Sequence, residues 1–302
     1  MDARNAFNSA TALRFGLWLG RTLPSGLGLG VADFLARSVA SRRDTALMHT
    51  LQDNFRVVLG PDASPEDVYA LARAAVRHAG HVYFDLYHTL GAGPAALLSS
   101  LRSSPFTDFQ LDELINQHRG AMIVAPHLSN FDLVGLALAQ RGLHMNVLAY
   151  ANPTTGYNVQ NNIRLQGGIN LMPIDVSALR KALEALRRGE LVITGIDRPD
   201  PFGGGEVLNF FNQPARLPVG HVRLAMQANV PVIVANAEYR PVDGSYAFHI
   251  ARWLEMEHVG NRQEDTLHNA QRVLNVAQDL IAAKPEQWLM FYPVWERNLA
   301  NL

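Results

Sequence analysis

His127 and Asp132 stand five positions apart in the stretch Ala125-Pro-His-Leu-Ser-Asn-Phe-Asp132. Imidazole is the side chain best suited to removing a proton near neutral pH. A carboxylate that accepts a hydrogen bond from one ring nitrogen fixes the tautomer and leaves the other nitrogen basic. The pair would therefore suit a general base acting on a substrate hydroxyl, with Asp132 as its orienting partner. On one regular helix a separation of five turns two side chains about 140° apart. They meet only if His127 lies in a loop and Asp132 in the first turn of the next helix, a turn that Ser129 or Asn130 can cap.

The elements around this stretch supply such a setting. The apolar runs Ala121 to Ala125, Asn146 to Ala149, Ile169 to Ile174, Leu191 to Ile196 and Val230 to Ala237 read as buried strands. Between several of them, Leu133 to Gln140, Ser177 to Arg188 and Pro218 to Ala228 read as helices. Strands alternating with helices predict an α/β fold with a central, mostly parallel sheet covered on both faces. His127 then sits at the carboxyl end of a strand, where ligands gather in open α/β sheets. The first hundred residues read as helical. Ser64-Pro65-Glu66-Asp67 combines a cap hydroxyl, a proline at the first helical position and early acidic residues, so a helix should start there and run towards His88. Residues 1–105 are expected to form a helical region packed on an α/β core of residues 106–302, as one continuous domain. Asn261 to Ala283 reads as a last long helix.

Composition excludes several classes. The 302 residues contain no cysteine, which removes disulfides, thiolate nucleophiles and cysteine-rich zinc sites. A net charge of −1 gives no electrostatic reason to expect a nucleic-acid partner. No run of about 18 apolar residues suits a membrane span. The basic residues nevertheless cluster early: Arg4, Arg14, Arg21, Arg37, Arg42 and Arg43 face only Asp2 and Asp33 in the first 43 positions. Arg14, Trp18 and Arg21 share one helical stripe, the pattern of an interfacial amphipathic element. His78, His81 and His88 share a helical face too, and read as a polar groove rather than a metal site. Gly26-Leu-Gly-Leu-Gly30 follows no strand, so it reads as a helix-breaking turn rather than a dinucleotide loop. No G-x-S-x-G elbow is present, which argues against an α/β-hydrolase.

His127-Leu-Ser-Asn-Phe-Asp132 resembles the H-x4-D block of the lysophospholipid acyltransferase superfamily. It is similar in particular to the branch of lipid A late acyltransferases and phosphatidylinositol mannoside acyltransferases, whose block is close to H-x-G-N-W-D. Ser129 stands where glycine is usual and Phe131 where tryptophan is. Asn162-Ile-Arg164-Leu-Gln-Gly-Gly resembles that branch's R-x-x-x-G segment, and Ile196-Asp197-Arg198 its D-R-D strand end, interrupted here by Pro199. Gly205-Glu206-Val-Leu-Asn-Phe-Phe-Asn-Gln-Pro-Ala-Arg216-Leu-Pro resembles G-x-E-V-x-F-F-G-x-x-A-R-x-P, with Asn212 for a glycine. Pro285-Glu-Gln-Trp288 matches the P-x-Q-W signature.

The resemblance implies an O-acyltransferase that moves a fatty acyl chain from acyl-coenzyme A or acyl carrier protein to a hydroxyl of a membrane glycolipid or phospholipid. It implies no metal and no cofactor beyond the thioester co-substrate. His127 would be the base and Asp132 its carboxylate, with Glu206 a second acidic member of the site. Ser129, Asn130, Arg164, Asp197, Arg198 and Arg216 would contact the substrates. The expected location is peripheral, on the cytoplasmic face of the inner membrane. Two alternatives of other classes are a glycosyltransferase working on a lipid-linked acceptor and a non-catalytic membrane-binding module.

Overall fold

The computed structural model describes residues 10–102, 108–110, 112–113, 119–150, 155–200 and 204–295. Five helices come first: α1 (Ala10–Thr22), α2 (Ser25–Ala40), α3 (Ala46–Leu59), α4 (Pro65–Ala92) and α5 (Pro94–Ser100). The Ser64 hydroxyl accepts from the Asp67 N–H and Pro65 occupies the first turn, so α4 starts where its capping residues predict. The Gly26-to-Gly30 run does not break a helix. It lies inside α2, whose chain reversal is at Pro24. The glycines there serve close approach: a Cβ on Gly28 would lie 2.0 Å from the Phe84 ring of α4. Helix propensity is given up at this position so that two helix axes can pack tightly.

The α/β part follows with β1 (Leu101–Arg102), β2 (Ala121–Ala125), α6 (Phe131–Gln140), β3 (Met145–Ala149), α7 (Thr155–Gln166), β4 (Asn170–Pro173), α8 (Val176–Arg187) and β5 (Leu191–Gly195). It continues with β6 (Glu206–Phe210), β7 (Gln213–Leu217), α9 (Gly220–Ala228), β8 (Val232–Arg240), β9 (Ser245–Leu254) and α10 (Arg262–Ala283), then a 3-10 turn at Pro285–Gln287. Seven strands form one sheet in the order β1-β9-β8-β2-β5-β3-β4. All neighbours are parallel except β8 and β9. This is the mostly parallel α/β sheet expected from the alternation of runs.

Burial on both faces explains why the central strands read as continuous apolar runs. In β2, Met122 and Val124 join a core shared with α3, α4, α8, α9 and α10, whereas Ala121 and Ile123 join a second core beneath α6. Three strand features were not expected: β9, the separate β6–β7 hairpin, and β1, by which the end of the stretch expected to be helical, residues 1–105, joins the sheet edge beside β9. Phe211 and Asn212 turn that hairpin with φ of 53° and 58°. Asn tolerates this left-handed conformation, which accounts for its standing in place of a glycine. The Phe211 N–H is held by the Gln278 side chain at 2.6 Å.

Candidate active site

β2 and β5 are parallel neighbours in continuous register, from Ala121 opposite Leu191 to Ala125 opposite Gly195. Each strand is followed at the same offset by an ionisable residue: His127 lies two positions past Ala125, and Asp197 two past Gly195. Register alone therefore brings the two side by side above the carboxyl edge of the sheet. His127 Nδ1 lies 2.6 Å from Asp197 Oδ1, and the His127 backbone N–H donates to Asp197 Oδ2 at 2.8 Å. The Trp288 indole N–H also donates to Oδ2, at 2.7 Å.

Asp197 is completely buried. Burial pushes its carboxyl up, but the adjacent His127 and the hydrogen bonds from His127 and Trp288 outweigh that and hold it below the usual carboxylate range. The imidazole keeps 28% of its side-chain surface exposed. Among the described residues, nothing hydrogen-bonds its Nε2. One side of the ring lies against Gly195, where a Cβ would come 2.7 Å from His127 Cε1. The Phe131 ring meets it edge-on at 5.4 Å. The ring is thus gripped on Nδ1 and by its neighbours, with Nε2 left to engage a ligand.

Asp132 lies in the first turn of α6, as the spacing predicts, but the imidazole hydrogen bond goes to Asp197 instead. Asp132 Oδ1 accepts from Arg164 Nε at 2.6 Å, with both side chains largely buried. Burial lowers the Arg164 pKa, yet the Asp132 charge and hydrogen bond prevail and raise it above the ordinary arginine value. Arg164 also donates to Asn161 and faces the Tyr157 ring. The fork expected to contact a substrate ties α7 to the start of α6.

Ser129 and Asn130 are buried rather than facing a substrate. Asn130 caps α6, accepting from the Leu133 N–H while its amide donates to the Val82 carbonyl of α4. Ser129 has φ of 50°, the left-handed region where the usual glycine costs nothing, and its hydroxyl lies 3.2 Å from His78 Nε2. Burial, with a smaller effect from His81, lowers His78 to about 4. His81 and His88 diverge from it: His81 meets Asp33, and His88 meets Ser25 and the Gly20 carbonyl. Glu206 is engaged by Arg223 at 2.7 Å. Arg198 lies 3.7 Å above the Tyr292 ring and Arg216 reaches the Gly205 carbonyl at 3.4 Å, both part-exposed.

Trp288, Gly195 and Phe131 are members of this site that spacing did not single out for a role. A signal for Asp197 was available: two buried apolar runs, each followed by a strand-end ionisable residue at the same offset.

A family model described as bacterial lipid A biosynthesis acyltransferase matches residues 9–297. The chain is also similar to phosphatidylinositol mannoside acyltransferase from two strains of Mycobacterium tuberculosis, 25% identical over 195 residues in each case. Those matches cover 63% of this chain and 59% of each relative, so less than two thirds of the relatives' length is spanned. With nearly the whole chain inside the family model and a histidine–carboxylate pair at its sheet edge, the chain belongs to the bacterial lipid A biosynthesis acyltransferase family.

Proposed function

We propose that this chain transfers a fatty acyl group from an acyl thioester to a hydroxyl of a membrane glycolipid or phospholipid, with His127 as general base and Asp197 as its positioning residue. The observation that carries the reading is the Nδ1 contact to a buried, ionised Asp197 with Nε2 unengaged. An ionised Asp197 accepts only, so Nδ1 carries the proton and Nε2 carries the lone pair.

In the reaction Nε2 takes the acceptor's hydroxyl proton as the oxygen attacks the thioester carbonyl. The imidazolium formed is stabilised by Asp197. Collapse of the tetrahedral intermediate breaks the C–S bond, and the leaving thiolate takes the proton back from Nε2, giving ester, free thiol and neutral histidine. The part-exposed cations Arg198 and Arg216 are the groups available to donor phosphates or an anionic head group. Arg164 and Asp132 brace the start of the helix that follows His127, and Glu206 is paired with Arg223.

Membrane attachment is assigned to α1 and α2, peripherally and on the cytoplasmic face. Leu27, Val31, Phe34 and Leu35 are exposed at helical spacing along α2, Trp18 is exposed on α1, and Arg21 and Arg37 lie alongside. The Arg14 side chain lies outside the described residues. No helix among the described residues is long and apolar enough to cross a membrane.

Incubation of purified protein with radiolabelled acyl-coenzyme A and membrane lipids tests the reading. Labelled lipid is expected from the wild type, and at least about a hundredfold less from folded His127→Ala. Near-normal turnover by that variant overturns it, and label transfer from a nucleotide sugar supplied in place of the thioester would favour a glycosyltransferase.

A further inference from the structure

The P-x-Q-W segment lies far in sequence from His127 and Asp197, yet it touches both. The Ser129 N–H donates to the Gln287 carbonyl and the Leu289 N–H to the His127 carbonyl, each at 2.8 Å, so residues 287–289 run antiparallel beside the His127 loop. The Gln287 side chain spans to β8, accepting from the Tyr239 N–H at 2.8 Å and donating to the Tyr239 carbonyl at 3.1 Å. The strap is therefore fixed at one end to the sheet and along its length to the loop.

Trp288 is completely buried, its ring edge-on to Phe55, Phe210 and Trp295 at centroid distances of 6.1, 6.4 and 6.2 Å. Its sole polar atom meets Asp197. That carboxylate is enclosed, and its partners are His127 Nδ1, the His127 N–H and this indole N–H. A buried carboxylate retains its charge only when donors replace its lost water.

We infer that Trp288 is a positioning residue for acyl transfer: its indole N–H, locked by the aromatic cluster and by the strap, holds Asp197 against His127 and sets how strongly that carboxylate supports the imidazolium. The inference rests on the general-base reading of His127. An indole donor withdraws negative charge from Asp197. Its removal leaves a more negative carboxylate beside the ring, which favours the protonated imidazole and moves the acidic limb of the rate profile to higher pH. The carboxylate also loses one of its tethers, so kcat falls while KM for the thioester is little changed.

The test compares Trp288→Phe with Trp295→Phe in the full chain, measuring acyl transfer from acyl-coenzyme A across pH. Trp295 belongs to the same cluster but donates to the Phe210 carbonyl, so its variant loses similar packing without touching Asp197. Trp288→Phe is expected to lower kcat about tenfold or more, the loss of one hydrogen bond to a charged group, and to shift the acidic limb upward. Trp295→Phe is expected to leave the limb in place. An unshifted limb and wild-type kcat in Trp288→Phe overturn the inference. If His127→Ala itself retains turnover, the general-base reading has failed instead.

Should Trp288→Phe not fold, the wild-type protein answers by nitrogen-15 NMR of its four tryptophan indoles. The Trp288 signal, identified with Trp295→Phe and labelled Trp18 and Trp253 variants, is expected to move in step with the acidic limb. A pH-independent signal overturns the inference.

Discussion

His127 and Asp197 occupy equivalent positions on two parallel neighbours, each two residues beyond the end of its strand, and their side chains meet at 2.6 Å. The pairing separates the two aspartates that the sequence offers to His127. Asp197 meets the imidazole, whereas Asp132 neutralises Arg164. The two aspartates therefore matter for different reasons.

Asp197→Asn is expected to lower kcat by about 10³–10⁴-fold, because an amide leaves the imidazole in the wrong tautomer with its charge unsupported. Asp132→Asn should act first on stability. It strands a buried guanidinium, at a cost of about 3–5 kcal/mol. Steady-state kinetics and chemical denaturation of the two variants check the contrast, and equal kinetic losses at unchanged stability would contradict it.

Gly195→Ala places a methyl group 2.7 Å from His127 Cε1, closer than carbon atoms pack, so the ring must shift from its place beside Asp197. Turnover is expected to drop at least tenfold, roughly the effect of losing the base's alignment. The melting temperature should change little. Wild-type activity in the alanine variant would show that the ring has room to spare.

Two buried histidines make stability depend on pH. Burial lowers both His78 and His221 from the ordinary 6.5 to about 4, and His221 Nε2 has no hydrogen-bond partner among the described residues. Between those values the unfolded chain binds more protons than the folded one. Stability therefore falls as pH drops from about 6.5 to about 4 and then levels off, each ring contributing up to roughly 3 kcal/mol. Urea titrations across that window check the slope. In His221→Leu the slope should shrink, with stability at pH 7 equal or higher, since an apolar group replaces an unpartnered nitrogen.

Leu27→Glu combined with Phe34→Glu is expected to reduce binding to anionic phospholipid vesicles at least tenfold without loss of helicity, because each exposed side chain contributes apolar area to the bilayer interface. Vesicle co-sedimentation measures it. Turnover on a short-chain, water-soluble acceptor should remain.

The chain alone determined the rhythm of the fold. Strands buried on both faces must be apolar throughout, so β2, β5 and β8 are visible as runs, and Ser64 and Asn261 mark helix starts because a cap needs only local hydrogen bonds. It also showed that His127 stands where a strand gives way to a helix. β9 was less visible because it is only half buried along its second half, and the β6–β7 hairpin because the exposed Val207 is apolar beside the buried Leu208, which masks the alternation of β6. Which carboxylate meets His127 was decided by tertiary structure. A strand's neighbours in a parallel sheet depend on how the crossovers are laid down, so the contact joins residues 70 positions apart, and its indole donor 91 positions from Asp197, whereas a spacing of five can only describe a local pair.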